Sequence, residues 1–279
     1  MSKTILITGA TAGIGKETAK QLAAQGHLIY ITGRDKSKCE ETLQVLKQIN
    51  PTAAGGYFLS DFADLSSVRK MANEINNTLP QLDVLINNAG GVFAKRELTS
   101  EGYEKTLCVN HLSPFLLTNL LLPLLQKTHA ARIVTVASDS HYRGSLDFND
   151  LHFEKNYFIL KAYERSKLCN VLFSNHLAKQ LEGTNVSSNS LHPGHVVSDI
   201  GAKTSNPFFK WVWKTVNNLT GIPTAEGAKT SVYLASADEV ASDNGYYFDK
   251  CKPKTPSKLA QEEQLAEQLW DVSKKMVGI

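Results

Sequence analysis

The amino-acid sequence predicts an α/β fold, a single doubly wound parallel sheet of about seven strands flanked by helices. Two observations predict it. Short apolar runs alternate with amphipathic helical stretches throughout, and no Pro/Gly/Ser-rich linker, repeat or low-complexity tract divides the 279 residues. Strands are expected at 4–8, 28–32, 56–59, 84–86, 132–137, 186–191 and 246–248. Helices are expected at 14–25, 36–49, 65–77, 101–127, 157–182, 224–236 and near 258–275. Strands that alternate with helices pair in parallel through right-handed crossovers, which covers both faces of the sheet. One domain over 1–279 follows, large enough to bury a core without a metal or disulfide staple.

The first strand runs into "GATAGIG" (9–15) and then the helix former "KETAKQLAAQ". A glycine-rich turn between a strand and a helix presents unpaired N–H groups and the positive end of the helix dipole to an anion. An ATP-type phosphate loop is excluded: Gly9 lies one position too far from Gly15, and Glu17 stands where a Ser or Thr would reach magnesium. Two readings are left, a dinucleotide site and a tight structural turn. The second strand ends in "GRDKSK" (33–38). An arginine there suits a 2′-phosphate and a carboxylate suits a free ribose hydroxyl, so Arg34 favours NADP(H), with Asp35 the residue that could turn to a ribose instead.

Thirty basic residues against 27 acidic leave a net charge of +3, no electrostatic footprint for nucleic acid, and a small molecule is the expected partner. Cys39, Cys108, Cys169 and Cys251 form no CxxC pair and read as buried fillers in a reducing compartment. His192 and His195 form HxxH with no third ligand nearby in sequence, so no metal is expected. His141 reads equally as a pocket residue or an exposed one. No signal-peptide pattern opens the chain, and no run approaches about 18 consecutive apolar residues, so a cytoplasmic protein is expected.

In "KAYERSKLCN" (161–170), Tyr163 and Lys167 are four apart on a predicted helix and share one face. A phenol with a pKa near about 10 is a poor base at neutral pH. A neighbouring ammonium is expected to lower that value, which would make the pair a proton donor suited to reducing a carbonyl. The alternative is a structural surface pair.

"TGATAGIG", "NNAG" (87–90), Asn110 in "VNHLSPF", Ser138 in "RIVTVAS", "YERSK" and "HPG" (192–194) occur together in an order and spacing that resembles the short-chain dehydrogenase/reductase family. The resemblance covers nearly the whole chain and implies a Rossmann-type fold. It implies that Gly9, Thr11, Gly13, Ile14 and Gly15 cradle a pyrophosphate, that Arg34 meets the adenosine phosphate, and that Asp61 and Phe62 flank the adenine. Asn87, Ala89 and Gly90 would line the cofactor through their backbone, and Pro193, Gly194, Val196 and Ser198 would border its nicotinamide end and phosphates. Asn110, Ser138, Tyr163 and Lys167 would form the catalytic tetrad: Ser138 bonding the substrate oxygen, Tyr163 exchanging its proton, Lys167 also holding the nicotinamide ribose, and Asn110 holding a water that links Lys167 to solvent. Tyr163 and Lys167 therefore count among the cofactor contacts too. Pairing through the long helices, as a homodimer or homotetramer, is also implied.

The 25 positions between Ser138 and Tyr163 exceed the usual gap, and this segment with "TAEGAKTSVYLA", "GYYFDKCK" and "EQLWDVSKKMVGI" is similar to the retinol dehydrogenase branch. That branch implies NADP(H)-dependent interconversion of lipophilic alcohols with aldehydes or ketones, retinal and retinol first. Other apolar aldehydes, steroids or quinones are the rival substrates, and a non-catalytic NADP(H)-binding sensor or scaffold is the rival function. Phe208, Phe209, Trp211 and Trp213 crowd the segment 201–222, read as a substrate lid, as core, or as a peripheral membrane contact with Lys210 and Lys214 at the headgroups. His195 departs from the branch, since an aliphatic residue more often follows Pro-Gly.

Overall fold

The computed structural model describes residues 2–196 and 222–279. Its strands are β1 (Thr4–Ile7), β2 (Leu28–Gly33), β3 (Ala54–Leu59), β4 (Val84–Asn87), β5 (Ala131–Val136), β6 (Val186–His192), β7 (Tyr247–Asp249) and β8 (Lys252–Pro253). The helices among the described residues are α1 (Gly13–Ala24), α2 (Lys36–Ile49), α3 (Leu65–Thr78), α4 (Lys105–Leu125), α5 (Ile159–Gln180), α6 (Thr224–Ser236) and α7 (Glu263–Val277). The strands form one sheet in the order β3-β2-β1-β4-β5-β6-β7-β8, parallel throughout except for the antiparallel pair of β7 and β8. β8 is the one strand the sequence pattern does not announce, because two residues are too few to show a period.

Alternation along the strands divides the core in two. Leu6, Leu85 and Ile133 point to one face, where they meet α3, α4, α5 and α7. Ile5, Ile7, Val84, Ile86, Val134 and Val136 point to the other, against α1, α2 and α6. The order of the parallel strands reverses between β1 and β4, so connections leave toward opposite edges there, the position at which sheets of this kind open a crevice at the carboxyl ends of their strands.

Three helices start on side-chain caps: Asp35 for α2, Asp64 for α3 and Glu104 for α4. The Glu104 cap explains why α4 begins later than the expected 101. Pro114 has no N–H to return to the Asn110 carbonyl four residues back, and the helix accommodates this with a π turn at Cys108–Leu112. α4 is long and apolar enough to cross a bilayer by composition, yet it is largely buried against the sheet.

α7 lies across α4 and α5. Its Trp270 packs at 4.8 Å from the Phe115 ring, 6.0 Å from Phe173 and 5.0 Å from His176. The side of those helices beneath Trp270 is thus covered by the chain's own last helix. Trp270→Ala should lower stability by about 3–5 kcal/mol, read as a lower denaturant midpoint at unchanged slope.

Candidate active site

The crevice is built around close backbone contacts. Gly9 and Gly13 have φ of +65° and +55°, and a Cβ on Gly9 would lie 2.9 Å from the Ala89 Cα. A Cβ on Gly15 would meet the Gly9 carbonyl at 2.7 Å, so only glycine lets the turn fold against the start of α1. α1 begins after Ala12, which has no side-chain oxygen to cap it, and space is open at Gly13. Uncapped N–H groups facing open space are what a phosphate requires. Ile14, half-buried, is in the first turn of this helix, and Lys16 is paired with Glu41 at 2.8 Å rather than aimed at the crevice.

Asn88 holds this turn in place, a role its position in the sequence does not announce. Its side-chain amide donates to the Thr8 and Gly9 carbonyls at 2.8 and 3.3 Å. The Thr8 hydroxyl accepts from the N–H groups of Asn88 and Ala89, both at 2.9 Å. Thr32 adds a further tie by accepting from the Gly9 N–H at 3.2 Å. Asn87 instead turns into the core and donates to the Thr118 hydroxyl at 2.9 Å, leaving only its backbone toward the crevice.

At the far end of the crevice, Arg34 and Asp61 stand 3.8 Å apart, both exposed, at the ends of β2 and β3. Asp35 accepts from the Lys38 N–H as the α2 cap, which directs its carboxylate away from a ribose. Thr11 lies against Gly33, whose Cβ would meet its methyl at 2.7 Å. Phe62 is 6% exposed and its ring packs into the core, so only its backbone and the Asp61 side chain face this end.

The four tetrad side chains come from α4, α5 and the turn that follows β5. Lys167 is buried and its ammonium donates to the Val136 carbonyl at 2.9 Å, 5.6 Å from the Tyr163 ring centre. Asn110 is fully buried: its Oδ1 accepts from the Gly91 N–H at 2.8 Å, and its amide donates to the Gly91 carbonyl and to the Ser166 hydroxyl at 3.0 and 2.9 Å. The Asn110 side chain thus fixes the loop after β4. Gly90 sits between these groups, its Cβ position 3.2 Å from Asn110 Oδ1 and 3.7 Å from the Lys167 ammonium.

Burial governs both titrating groups. The Lys167 ammonium is pushed down to about 8 by desolvation. The Tyr163 phenol is pushed up to about 12, with the Ser138 hydroxyl pulling the other way and the Asp139 carboxylate adding to the rise. The expectation that Lys167 lowers the phenol is therefore corrected for the protein alone: withdrawal from water dominates, and the ammonium is not among the groups that move it.

Ser138 caps a short 3-10 turn (Asp139–Arg143), accepting from the Ser140 N–H at 3.1 Å. His141 is neither a pocket residue nor an exposed one. It is fully buried between Tyr142 and Tyr247, with Nδ1 2.6 Å from the Ser138 carbonyl and Nε2 accepting from the Ser257 N–H at 3.1 Å. His192 accepts the Asp139 N–H at its Nδ1, and His195 pairs with the Asp139 carboxylate at 3.1 Å. Pro193 and Gly194 lie between these histidines, and Val196 bridges to Ile222. Ser198 and the aromatic segment through residue 221 lie outside the described residues. Cys39 is raised to about 11 and Cys108 and Cys169 to about 12 by burial, which leaves them no nucleophilic role.

The short chain dehydrogenase family matches residues 3–207. The chain is 40% identical over 288 residues to retinol dehydrogenase 14 of Mus musculus, spanning 99% of this chain and 86% of that protein. It is 40% identical over 278 residues to retinol dehydrogenase 12 of Homo sapiens, spanning 99% and 87%. A crystal structure of an uncharacterized protein from Mycobacterium paratuberculosis superposes with a TM-score of 0.77 at 30% identity, over 99% of this chain and 93% of that one. The chain belongs to the short-chain dehydrogenase/reductase family, in its retinol dehydrogenase-like branch, and is an oxidoreductase of that family.

Nuclear magnetic resonance of methyl-labelled lysines should show one ammonium titrating at about 8. Lys167→Met should remove that signal and leave the other lysines in place.

Proposed function

We propose that the protein reduces a lipophilic aldehyde or ketone to its alcohol with NADPH, retinal being the first substrate to test, and that it catalyses the reverse oxidation when conditions favour it. The observation that carries this reading is the meeting of Asn110, Ser138, Tyr163 and Lys167 beside an uncapped, glycine-lined helix N-terminus at the point where the order of the parallel strands reverses. The exposed Arg34, with Asp35 engaged as a cap, supports a 2′-phosphate on the cofactor. Aromatic groups beside the loop that Asn110 holds support an apolar substrate: the Phe93 ring lies against Gly91, and the Tyr157 hydroxyl donates to the Phe93 carbonyl at 2.7 Å. The two relatives named retinol dehydrogenase point to a retinoid.

When bound, the nicotinamide supplies hydride to the carbonyl carbon. Gly9, Gly13 and Gly15 would admit the pyrophosphate, Arg34 the adenosine phosphate, and Lys167 the nicotinamide ribose. Ser138 donates a hydrogen bond to the carbonyl oxygen, and Tyr163 delivers its phenolic proton to that oxygen as negative charge develops there. A phenol held near about 12 is fully protonated at neutral pH, the form that reduction needs. Oxidation needs the phenolate, so it should accelerate as pH rises while reduction stays level through neutrality. The free cysteines and the NADPH requirement suit a reducing cytoplasm.

NADPH consumption at neutral pH with all-trans-retinal, run beside NADH and a short aliphatic aldehyde, tests the reading. Retinal reduction with NADPH is the expected result, and no turnover of any carbonyl would overturn it. Arg34→Ala should raise KM for NADPH about ten-fold or more with little change for NADH, and Tyr163→Phe should lower kcat by about a hundred-fold or more.

A further inference from the structure

Ser138 has one proton to give, and the structure shows where it goes before a substrate arrives. One lone pair takes the Ser140 N–H, the Tyr163 phenol is a second hydrogen-bond partner of the oxygen, and the O–H donates to Oδ1 of Asp139 at 3.3 Å. The other carboxylate oxygen of Asp139, Oδ2, is 3.1 Å from Nε2 of His195 and 4.0 Å from Nε2 of His192. His192 is tied at its Nδ1 by the Asp139 N–H and kept neutral by burial, so it brings no charge to the carboxylate. Lys254 and Asp249, the charges facing this cluster from β7 and the residues after β8, are paired with each other at 2.8 Å. The backbone of His195 is held in place by the Ile222 N–H at 2.7 Å. His195 is therefore the partner that Asp139 meets from the loop after β6.

We propose that Asp139 and His195 form a positioning pair that sets how firmly the Ser138 hydroxyl proton is held away from the substrate. The inference rests on the carbonyl-reductase reading for its kinetic consequence. A carboxylate that carries its full charge holds the serine proton strongly, and one whose second oxygen is bound by an imidazole N–H holds it less strongly. His195 thereby releases Ser138 to bond the carbonyl oxygen. Neither residue exchanges a proton with the substrate, and the serine proton is reoriented rather than transferred.

His195→Ala should lower kcat by about three- to ten-fold, the size expected for one hydrogen bond, at unchanged KM for NADPH. His195→Gln, which keeps a donor for Oδ2, should recover most of that loss. In an Asp139→Asn background the His195→Ala change should have no further effect, because the charge it moderates is gone. Equal losses in both backgrounds would overturn the proposal. A second arm needs no turnover: the nitrogen-15 and proton resonances of the His195 Nε2–H, which report its hydrogen bond to Asp139 in the protein alone. They should shift in Asp139→Asn and, in the opposite sense, in Ser138→Ala, where Asp139 loses a donor. A His195 signal unmoved by Ser138→Ala would overturn the pair. Should no carbonyl be reduced, this arm still decides the inference, and only the reductase reading fails.

Discussion

The Thr8 and Asn88 clamp is the constraint on which the rest of the site depends. Four hydrogen bonds lock Thr8 and Gly9 to Asn88 and Ala89, about 80 positions away in the chain, at the ends of β1 and β4, two of them joining Thr8 directly to Asn88. The glycine turn, the loop that follows Asn88 and the crevice between them exist as one unit because of this contact. Each bond replaces solvent for a buried polar backbone group, and leaving any of them unmade would cost about 1–3 kcal/mol. From this unit the Asn110 amide reaches Gly91, and Ser166 extends the chain of contacts to α5. Asn110 is thus tied to the glycine turn through these hydrogen bonds and the short backbone stretch from Asn88 to Gly91.

Burial does a second job in the same crevice. It pushes Lys167 and Tyr163 in opposite directions, each toward its neutral form. A neutral phenol beside a weakened ammonium is a resting state prepared to give a proton, not to take one. Asp139 raises the phenol further and also engages the serine, so one carboxylate acts on two members of the tetrad.

Local spacing makes much of this site legible in the amino-acid sequence. The alternation of strands and helices, the glycine turn, the four-residue step from Tyr163 to Lys167 and the positions of Asn110 and Ser138 are all short-range patterns. What stays hidden depends on which distant groups meet. Asn88 reads as one more residue of "NNAG", and only the packed chain brings its amide onto the Gly9 carbonyl. His141 has no periodic signature that distinguishes a tether to Ser257 from a pocket wall. Phe62 follows Asp61 directly, yet its ring turns into the core. Asp35 becomes a cap only through the turn that sets the Lys38 N–H above it. The rise of the Tyr163 pKa is unreadable for the same reason, since desolvation belongs to the packed protein and not to a pair of residues four apart.

The central claim is that this site moves a hydride to a lipophilic carbonyl while Tyr163 supplies the proton. Reduction of all-trans-retinal with NADPH carrying deuterium at the nicotinamide C4 position tests it most directly. The account predicts retinol with one deuterium on its hydroxyl-bearing carbon, a hydroxyl hydrogen drawn from solvent, and loss of the product in Tyr163→Phe. Retinol formed without the label, or formed equally well by Tyr163→Phe, would contradict it.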